Sequence, residues 1–103
     1  MLALITGASN GLGKDFAKEL SKQGYDLVLV ARSKDKLDKL SSELKTLVYV
    51  EVMDLSVKEN AYKLYSKYKG KIDLLINNAG FGTFGEFTKT DLETELNMID
   101  LNI

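Results

Sequence analysis

Short apolar runs alternate with segments of helical periodicity along the whole chain. Four apolar-rich runs have the length of a buried strand, and they cover residues 2–5, 27–31, 47–52 and 72–76. Runs that are apolar at consecutive positions are typical of parallel strands covered on both faces. The segments between them carry apolar residues every three or four positions, a spacing that predicts amphipathic helices. The alternation therefore predicts an α/β fold.

The predicted helices have recognisable ends. Gly24 stands where the first helix should stop, a C′ position that favours glycine. Ser33 is a suitable N-cap for the second helix, and Ser56 with Glu59 has the spacing of a capping box for the third. Four helices are predicted, and the apolar residues of their patterns are Leu12, Phe16, Ala17 and Leu20; Leu37, Leu40 and Leu44; Val57, Ala61, Leu64, Tyr65 and Tyr68; and Leu92, Leu96, Ile99 and Ile103.

Short connections between strands and helices predict right-handed crossovers and a doubly wound parallel sheet of the Rossmann type. This plan places the strands in the order 3-2-1-4, with helices on both faces and strand 4 at an edge. A ligand crevice is expected where the order reverses, between strands 1 and 4. A length of 103 residues allows at most one small domain.

A glycine-rich segment, Thr6 to Gly13, joins the first strand to the first helix. Gly7 suits a tight turn, Gly11 lets a phosphate approach the backbone, and Gly13 lets the helix pack closely against the sheet. The helix then directs free N–H groups and the positive end of its dipole towards the phosphate. An ordinary strand-to-helix turn without a ligand is the alternative, and further motifs are needed to decide between them.

Composition excludes several classes of chemistry. The chain has no cysteine and no histidine, which excludes disulfides, thiolate catalysis, Cys/His zinc sites and Ser-His-Asp triads. Its 14 basic and 15 acidic residues give a net charge of -1, which does not suggest binding to nucleic acid or to an anionic membrane. No acidic cluster has metal-ligand spacing, and no apolar stretch approaches about 18 residues. We expect no metal, no nucleic acid and no membrane, and a cytoplasmic location.

Two motifs carry a resemblance to a known family. The glycine segment has the spacing TGxxxGxG, and the fourth strand closes on Asn77-Asn78-Ala79-Gly80. With both motifs in place, the whole chain resembles the short-chain dehydrogenase/reductase family. The resemblance implies a single NAD(P)-binding Rossmann domain, of which residues 1–103 would be the N-terminal part.

The resemblance also implies how the cofactor is held. Ala31 takes the position at which NAD-preferring members carry an acid, and Arg32 follows it, as in members that prefer NADP(H) over NAD(H). Asp54 would accept a hydrogen bond from the adenine amino group. The alternatives are a surface arginine at Arg32 and a helix-start residue at Asp54. The implied cofactor-binding residues are Thr6, Gly7, Ser9, Asn10, Gly11, Leu12, Gly13, Arg32, Ser33, Asp54, Leu55, Asn78, Ala79 and Gly80.

The family's catalytic residues are only partly present. Asn102, on the last predicted helix, matches the asparagine that orders a proton-relay water in relatives, and it is the catalytic candidate. The family's serine and YxxxK motif follow that asparagine, and this chain stops first. A YxxxK match at Tyr65–Lys69 falls in the third helix and is attributed to chance. We expect a fragment that is truncated before the catalytic tyrosine and lysine and is inactive alone.

The leading hypothesis is an NADP(H)-dependent enzyme that transfers a hydride between nicotinamide and a carbonyl or secondary alcohol of a small-molecule substrate. The parent protein is expected to be a homo-oligomer. One alternative is a non-catalytic dinucleotide-binding regulatory module, which the residues downstream would identify. Another is a structural fragment without a nucleotide, which a titration with NADPH would identify.

Overall fold

The computed structural model describes residues 1–78 and 99–102, and the side chains of Tyr65 and of 99–102 lie outside the described part. Within these ranges the chain forms β1 (Leu2–Thr6), α1 (Gly11–Lys22), β2 (Asp26–Ala31), α2 (Lys34–Ser42), β3 (Val48–Val52), α3 (Lys58–Tyr68), β4 (Leu74–Asn77) and β5 (Ile99–Asn102).

The strands form one parallel sheet in the order β3-β2-β1-β4-β5. The central strand β1 pairs with β2 on one side and with β4 on the other, so that Thr6 stands beside both Val30 and Asn77. The first four strands have the predicted order 3-2-1-4. The prediction of a doubly wound, Rossmann-like sheet is therefore confirmed.

Alternate residues of the inner strands enter two separate cores, because successive side chains of a strand point to opposite faces. On one face Leu4 packs with Val28, Val30 and the buried side of α3, which includes Leu64. On the other face Ile5 packs beneath α1 and α2. Burial on both faces explains why β1 and β2 are apolar at consecutive positions.

The edge strand β3 has a different character from the inner strands. Tyr49 and Val52 are largely exposed there, while Glu51 is mostly covered. Glu51 accepts hydrogen bonds from Lys67, at 2.7 Å, and from the Tyr68 hydroxyl, both on α3. Burial and the neighbouring Glu51 carboxylate raise the pKa of Tyr68. These contacts fasten the exposed edge of the sheet to the helix that covers it.

The prediction of a helix through residues 99–102 is wrong. This segment is strand β5, and its backbone pairs in parallel with β4, so β4 is not an edge of the sheet. The alternation of Ile99, Asp100, Leu101 and Asn102 has the two-residue period of a strand. The helix was predicted because the spacing of Leu92, Leu96, Ile99 and Ile103 also fits a helical period. Short segments often fit both periods. The predicted helical residues Leu92 and Leu96 lie outside the described part.

Two predictions about helix starts are also wrong. The N-cap of α3 is Val57, which makes no side-chain cap bond, so Ser56 lies one residue before the N-cap and no capping box forms. The Ser56 hydroxyl instead donates to the Asp54 carboxylate at 2.7 Å. A capping box needs its serine at the N-cap and its glutamate three residues later, whereas Glu59 stands only two residues after the N-cap of α3. In α1, Leu12 is 55% exposed and is not a core residue.

Candidate functional site

The residues at the carboxyl ends of the central strands meet in one row. Thr6 on β1 stands beside Asn77 on β4, and Asn77 stands beside Asn102 on β5. The Thr6 hydroxyl donates a hydrogen bond to Asn77 Oδ1 over 3.0 Å, and both residues are buried. In open parallel sheets ligands bind beyond this end of the strands, at the point where the order reverses. The geometry therefore places a candidate site above β1 and β4.

The glycine segment after β1 is packed against the residue that follows β4. The Asn78 side-chain amide donates to the Gly7 carbonyl over 3.1 Å. A Cβ on Gly13 would lie 2.7 Å from the Asn78 amide nitrogen and closer still to the Gly7 carbonyl oxygen. Gly7 itself has a φ of 61°, in the left-handed region that favours glycine. Gly7, Gly13 and Asn78 therefore form one tightly packed unit.

The start of α1 is open on the side that faces away from this unit. Gly11 has a φ of 48°, and a Cβ at that position would meet nothing within 4 Å. The N-cap residue Asn10 makes no side-chain bond to the helix, and the first turn contains no acidic residue. The first N–H groups of a helix have no partner within the helix, so this turn offers donors to an external anion.

The Asn10 side chain is used by a different element. Its Oδ1 accepts a hydrogen bond over 3.3 Å from Nζ of Lys36, in α2. A second bond joins the same regions, from the Ala8 N–H to the Val30 carbonyl at 3.2 Å. The glycine segment is thus attached to the end of β2 and to the start of α2. Ser9, another predicted cofactor residue, is half-buried within this turn.

The turn after β2 supplies the cation predicted to choose the cofactor. Arg32 is exposed and is close enough to Asp54 to lower the pKa of that carboxyl, although hydrogen bonds from Ser56 contribute more. Ser33 is the N-cap of α2, as predicted, and its hydroxyl accepts from the Lys36 N–H over 3.4 Å. Arg32 therefore stands on a turn whose geometry is fixed by the helix that follows.

The turn after β3 holds Asp54 in a defined orientation. Asp54 Oδ1 accepts from the Ser56 N–H at 2.9 Å and from its hydroxyl, and the Asp54 carbonyl accepts from Asn60 at 2.9 Å. No residue of the described part donates to the other carboxylate oxygen, which could accept from a nucleobase amino group. Leu55 points into the core beside Leu64, so a contact with a ligand would come from its backbone.

Several predicted site residues are not brought together by the described structure. Ala79 and Gly80 lie outside the described part. Only the backbone position of Asn102, on β5 instead of a helix, is defined. Leu12 is exposed in the first turn of α1, beside the open face of Gly11.

Two residues with a place at the site, Asn77 and Lys36, were missed as candidates in the sequence. Asn77 could have been identified from its position at the end of β4 beside β1, because neighbouring parallel strands end at the same edge. Lys36 could not, because its contact with Asn10 joins residues 26 positions apart. Among the described residues, no group of His, Cys, Asp or Glu has the arrangement of a metal site. No helix in the same ranges has the length and apolarity to span a membrane.

This geometry fits the diphosphate of a dinucleotide. The open face at Gly11 leaves room for a phosphate group, and the uncapped turn beside it provides N–H donors. Arg32 and Asp54 follow β2 and β3, the next two strands of the sheet beyond β1. These residues would hold the nucleotide, whereas Thr6, Asn77 and Asn102 lie at the end of the site nearer β4 and β5.

Comparison with known proteins gives the same family by sequence and by structure. The family model for short chain dehydrogenases matches residues 1–103. An uncharacterized oxidoreductase of Staphylococcus epidermidis is 37% identical over 105 residues, which cover 99% of this chain and 46% of the relative. The human very-long-chain 3-oxoacyl-CoA reductase is 42% identical over 83 residues, which cover 76% of this chain and 27% of the relative.

Solved structures agree with these relatives. A short-chain dehydrogenase from Sphingobium yanoikuyae in complex with NADPH superposes with a TM-score of 0.70 at 36% identity, covering 93% of this chain and 42% of that structure. The chain thus spans less than half the length of each of these relatives. On the evidence of its sheet, its glycine segment and its match over residues 1–103, the chain belongs to the short-chain dehydrogenase family.

Proposed function

We propose that this chain forms the nucleotide-binding part of an NADP(H)-dependent oxidoreductase that interconverts a carbonyl and a secondary alcohol in a small molecule. A bound nicotinamide cofactor supplies or accepts the hydride in such a reaction. The chain's own residues bind and orient the nucleotide. Family membership supports this proposal, and so do the relatives that carry the names oxidoreductase and reductase.

The observation that carries the proposal is the open start of α1. Its N-cap side chain makes no bond to the helix, its first turn has no acid, and Gly11 has free space where a side chain would stand. Each feature weakens the helix as an isolated element, because caps and first-turn acids stabilise helices. Each also favours a bound phosphate, which satisfies the free N–H groups and the helix dipole.

A preference for NADP(H) over NAD(H) rests on Arg32. Its guanidinium can make charge-assisted hydrogen bonds with a 2′-phosphate, and the position holds no acid that would instead accept from a 2′-hydroxyl. The Sphingobium yanoikuyae structure that resembles this chain contains NADPH. This likeness supports the preference for NADP(H) separately from Arg32.

The proton chemistry belongs to the other end of the site. We propose that Asn102, at the end of β5, orders a water that relays a proton, and that the acid of the reaction is a tyrosine assisted by a lysine. Both would lie outside these 103 residues, together with a catalytic serine. In this proposal residues 1–103 alone are inactive, and the whole protein is a cytoplasmic homo-oligomer. The name of the human relative makes 3-oxoacyl thioesters the first substrates to try.

The test is a titration of the full-length protein with NADPH and with NADH, followed by NADPH oxidation on a panel of carbonyl compounds. The wild type should bind NADPH more tightly, and Arg32→Ala should lower the NADPH/NADH affinity ratio by at least about tenfold, since charge-assisted hydrogen bonds contribute roughly 1.5–3 kcal/mol. Arg32→Asp should reverse the preference. Lys39→Ala, in the last turn of α2, is the matched control and should leave the ratio unchanged.

The outcomes separate the possible functions. Binding of NADPH with turnover supports the enzyme. Binding without turnover on any carbonyl or alcohol supports a regulatory dinucleotide-binding module. A wild type that binds neither nucleotide contradicts both.

A further inference from the structure

The backbone of β3 is bonded to the rest of the sheet on one side only. The Leu47 carbonyl accepts from the Leu27 N–H over 2.9 Å, and the Met53 N–H donates to the Ala31 carbonyl over 3.0 Å. Because successive residues of a strand direct their N–H and C=O groups to opposite sides, the odd-numbered residues face β2 and the even-numbered ones face away. Within residues 1–78 and 99–102, no strand lies beyond β3. The residues with these outward N–H and C=O groups are Val48, Val50 and Val52.

The open edge of β3 lacks the features that keep edge strands apart from other strands. Natural edges are protected by lysine, by proline or by a bulge. The sequence of β3 is Val-Tyr-Val-Glu-Val, and the strand pairs with β2 in an unbroken register. Its one charged side chain, Glu51, is paired with Lys67 at 2.7 Å and also accepts from the Tyr68 hydroxyl. The strand therefore carries no lysine, proline or unpaired charge that would repel a second strand.

Exposed apolar side chains are concentrated around the same edge. Of the seven large apolar side chains that are exposed in the described part of the chain, four lie between residues 47 and 57. They are Leu47, Tyr49, Val52 and Val57. Clusters of exposed apolar side chains mark surfaces at which another protein binds. A partner strand at this edge would cover apolar side chains and satisfy backbone groups at once.

We propose that β3 pairs with β3 of a second copy of this chain, antiparallel and centred on Val50, so that two sheets join into one. The sequence fits this two-fold axis because it is apolar two residues before and two residues after its centre. Val48 of one copy lies opposite Val52 of the other, and Val50 lies opposite the same residue of the other copy. In all three pairs the outward N–H and C=O groups bond to one another, as in the hydrogen-bonded pairs of antiparallel sheets.

The other face of β3 fits the same axis. Tyr49 of one copy lies opposite Glu51 of the other. Tyr49 is 46% exposed in the single chain, and Glu51 brings no unpaired charge because Lys67 already holds it. Since both faces of the strand match its own reverse, a second copy fits this edge better than an unrelated extended peptide. This assembly does not depend on the proposed function.

The experiment places single cysteines on β3 of the full-length protein, in a background without other cysteines, and follows intermolecular disulfide formation under mild oxidation. Only Val50 faces its own position in the other copy, at a Cα–Cα distance of about 5.5 Å, which a disulfide can span. Val50→Cys should therefore form a linked dimer. Val52→Cys is the matched control, because its two copies would lie roughly 14 Å apart and should not link. A mixture of Val48→Cys and Val52→Cys proteins should link.

A charge at the edge tests whether the strands themselves pair. Val52→Lys, added to Val50→Cys, should slow the linking at least about tenfold, because an edge lysine disfavours the approach of a second strand. Tyr62→Lys is the control for the added charge. Tyr62 lies on α3 and has a similar exposure, 41% against 44% for Val52, so its substitution should leave the rate unchanged.

Hydrogen exchange tests the wild type without any substitution. The outward N–H groups should exchange slowly at high protein concentration and faster on dilution, because the pairing protects them. The N–H groups of Tyr49 and Glu51, which face β2, should exchange slowly throughout. Three results would overturn the proposal: equal linking of Val50→Cys and Val52→Cys, fast exchange of the outward groups at every concentration, or slow exchange of these groups without any disulfide link.

Discussion

Helices α1 and α2 begin beyond neighbouring strands, at the same edge of the sheet, yet their first turns are completed in opposite ways. In α2 the Ser33 hydroxyl accepts from the backbone, and Asp35 lies in the first turn. In α1 the Asn10 side chain makes no bond to its own helix, the first turn contains no acid, and Gly11 leaves one side open. The start of α2 is stabilised by its own side chains, while the start of α1 has neither a side-chain cap nor an acid in its first turn.

The difference between the first turns of α1 and α2 shows that one helix start can favour stability and the other the binding of an anion. A capped helix start has less need of an anion, because its N-cap satisfies one of the free N–H groups and an acid in its first turn interacts with the dipole. An uncapped start costs some stability in the free protein and regains it when a phosphate binds. The start of α3 is intermediate, since Val57 provides no cap bond but Glu59 lies in the first turn.

Gly11→Val should have the largest effect, because it closes the open side of α1. We expect NADPH affinity to fall at least about 100-fold, from the loss of charge-assisted bonds worth roughly 1.5–3 kcal/mol each. Valine at a positive φ is strained, so Gly24→Val is the control: Gly24 has a φ of 94°, also has free space, and follows the other end of α1. Titration calorimetry on both variants would contradict the open-start interpretation if they lost affinity equally.

Gly13→Ala should disturb the packed side of the same turn. The added Cβ would press on the Gly7 carbonyl and on Asn78, and we expect the free energy of unfolding to fall by about 2 kcal/mol, even after the better helix propensity of alanine. Urea denaturation measures this change. Adding Asn78→Ala removes the clash with the Asn78 side chain but leaves the clash with the Gly7 carbonyl, so the double variant should not regain the lost free energy of unfolding. Full recovery would show that the contact with the Asn78 side chain alone matters.

Ser33→Ala should remove the cap that distinguishes α2. Because the bond is long, at 3.4 Å, we expect a loss of only about 0.5–1 kcal/mol in the free energy of unfolding. Ser33→Asp offers a replacement cap and should restore stability, while its carboxylate beside Arg32 should weaken NADPH binding. Chemical denaturation and titration of the two variants would separate the capping role from the binding role. Equal stability of Ser33→Ala and wild type would contradict the cap.

The smallest expected effect concerns pH at the start of α3. Hydrogen bonds from Ser56 lower the pKa of Asp54 below its unfolded value of about 3.9. The ionised carboxylate therefore stabilises the fold above that pH, and the stabilisation disappears as the pH falls through the lower, folded pKa. Urea midpoints measured between about pH 6 and pH 3 should fall more for the wild type than for Ser56→Ala. Parallel curves would show that the Ser56 contacts do not persist in solution.

Much of this architecture follows from local sequence patterns. Consecutive apolar positions predicted the inner strands, and the glycine segment was correctly placed between β1 and α1. The cap at Ser33 and the helix stop at Gly24 were also predicted, because both depend on residues within one turn. Asn102 shows the limit of such patterns: its segment fits two periods, and pairing with β4 decided between them.

The remaining features depend on contacts between distant residues. The bonds between Lys36 and Asn10 and between Asn78 and the Gly7 carbonyl join residues that no periodicity relates. The capping box failed because α3 begins one residue later than Ser56 and Glu59 require, with Val57 as its N-cap. Sequence patterns predicted the elements of the site, but the arrangement of the side chains required the folded sheet.

The pairing of β1 with β4 has a consequence for the folding of the chain during its synthesis. The Thr6–Asn77 and Asn78–Gly7 hydrogen bonds, and the bond from the Leu2 N–H to Asp73, each join residues 71 positions apart. At a synthesis rate of about 5–20 residues per second, Asn78 is added roughly 4 to 14 s after Gly7. Throughout that interval β1 lacks one neighbour, and the nascent chain must keep an apolar strand from pairing wrongly until β4 is made.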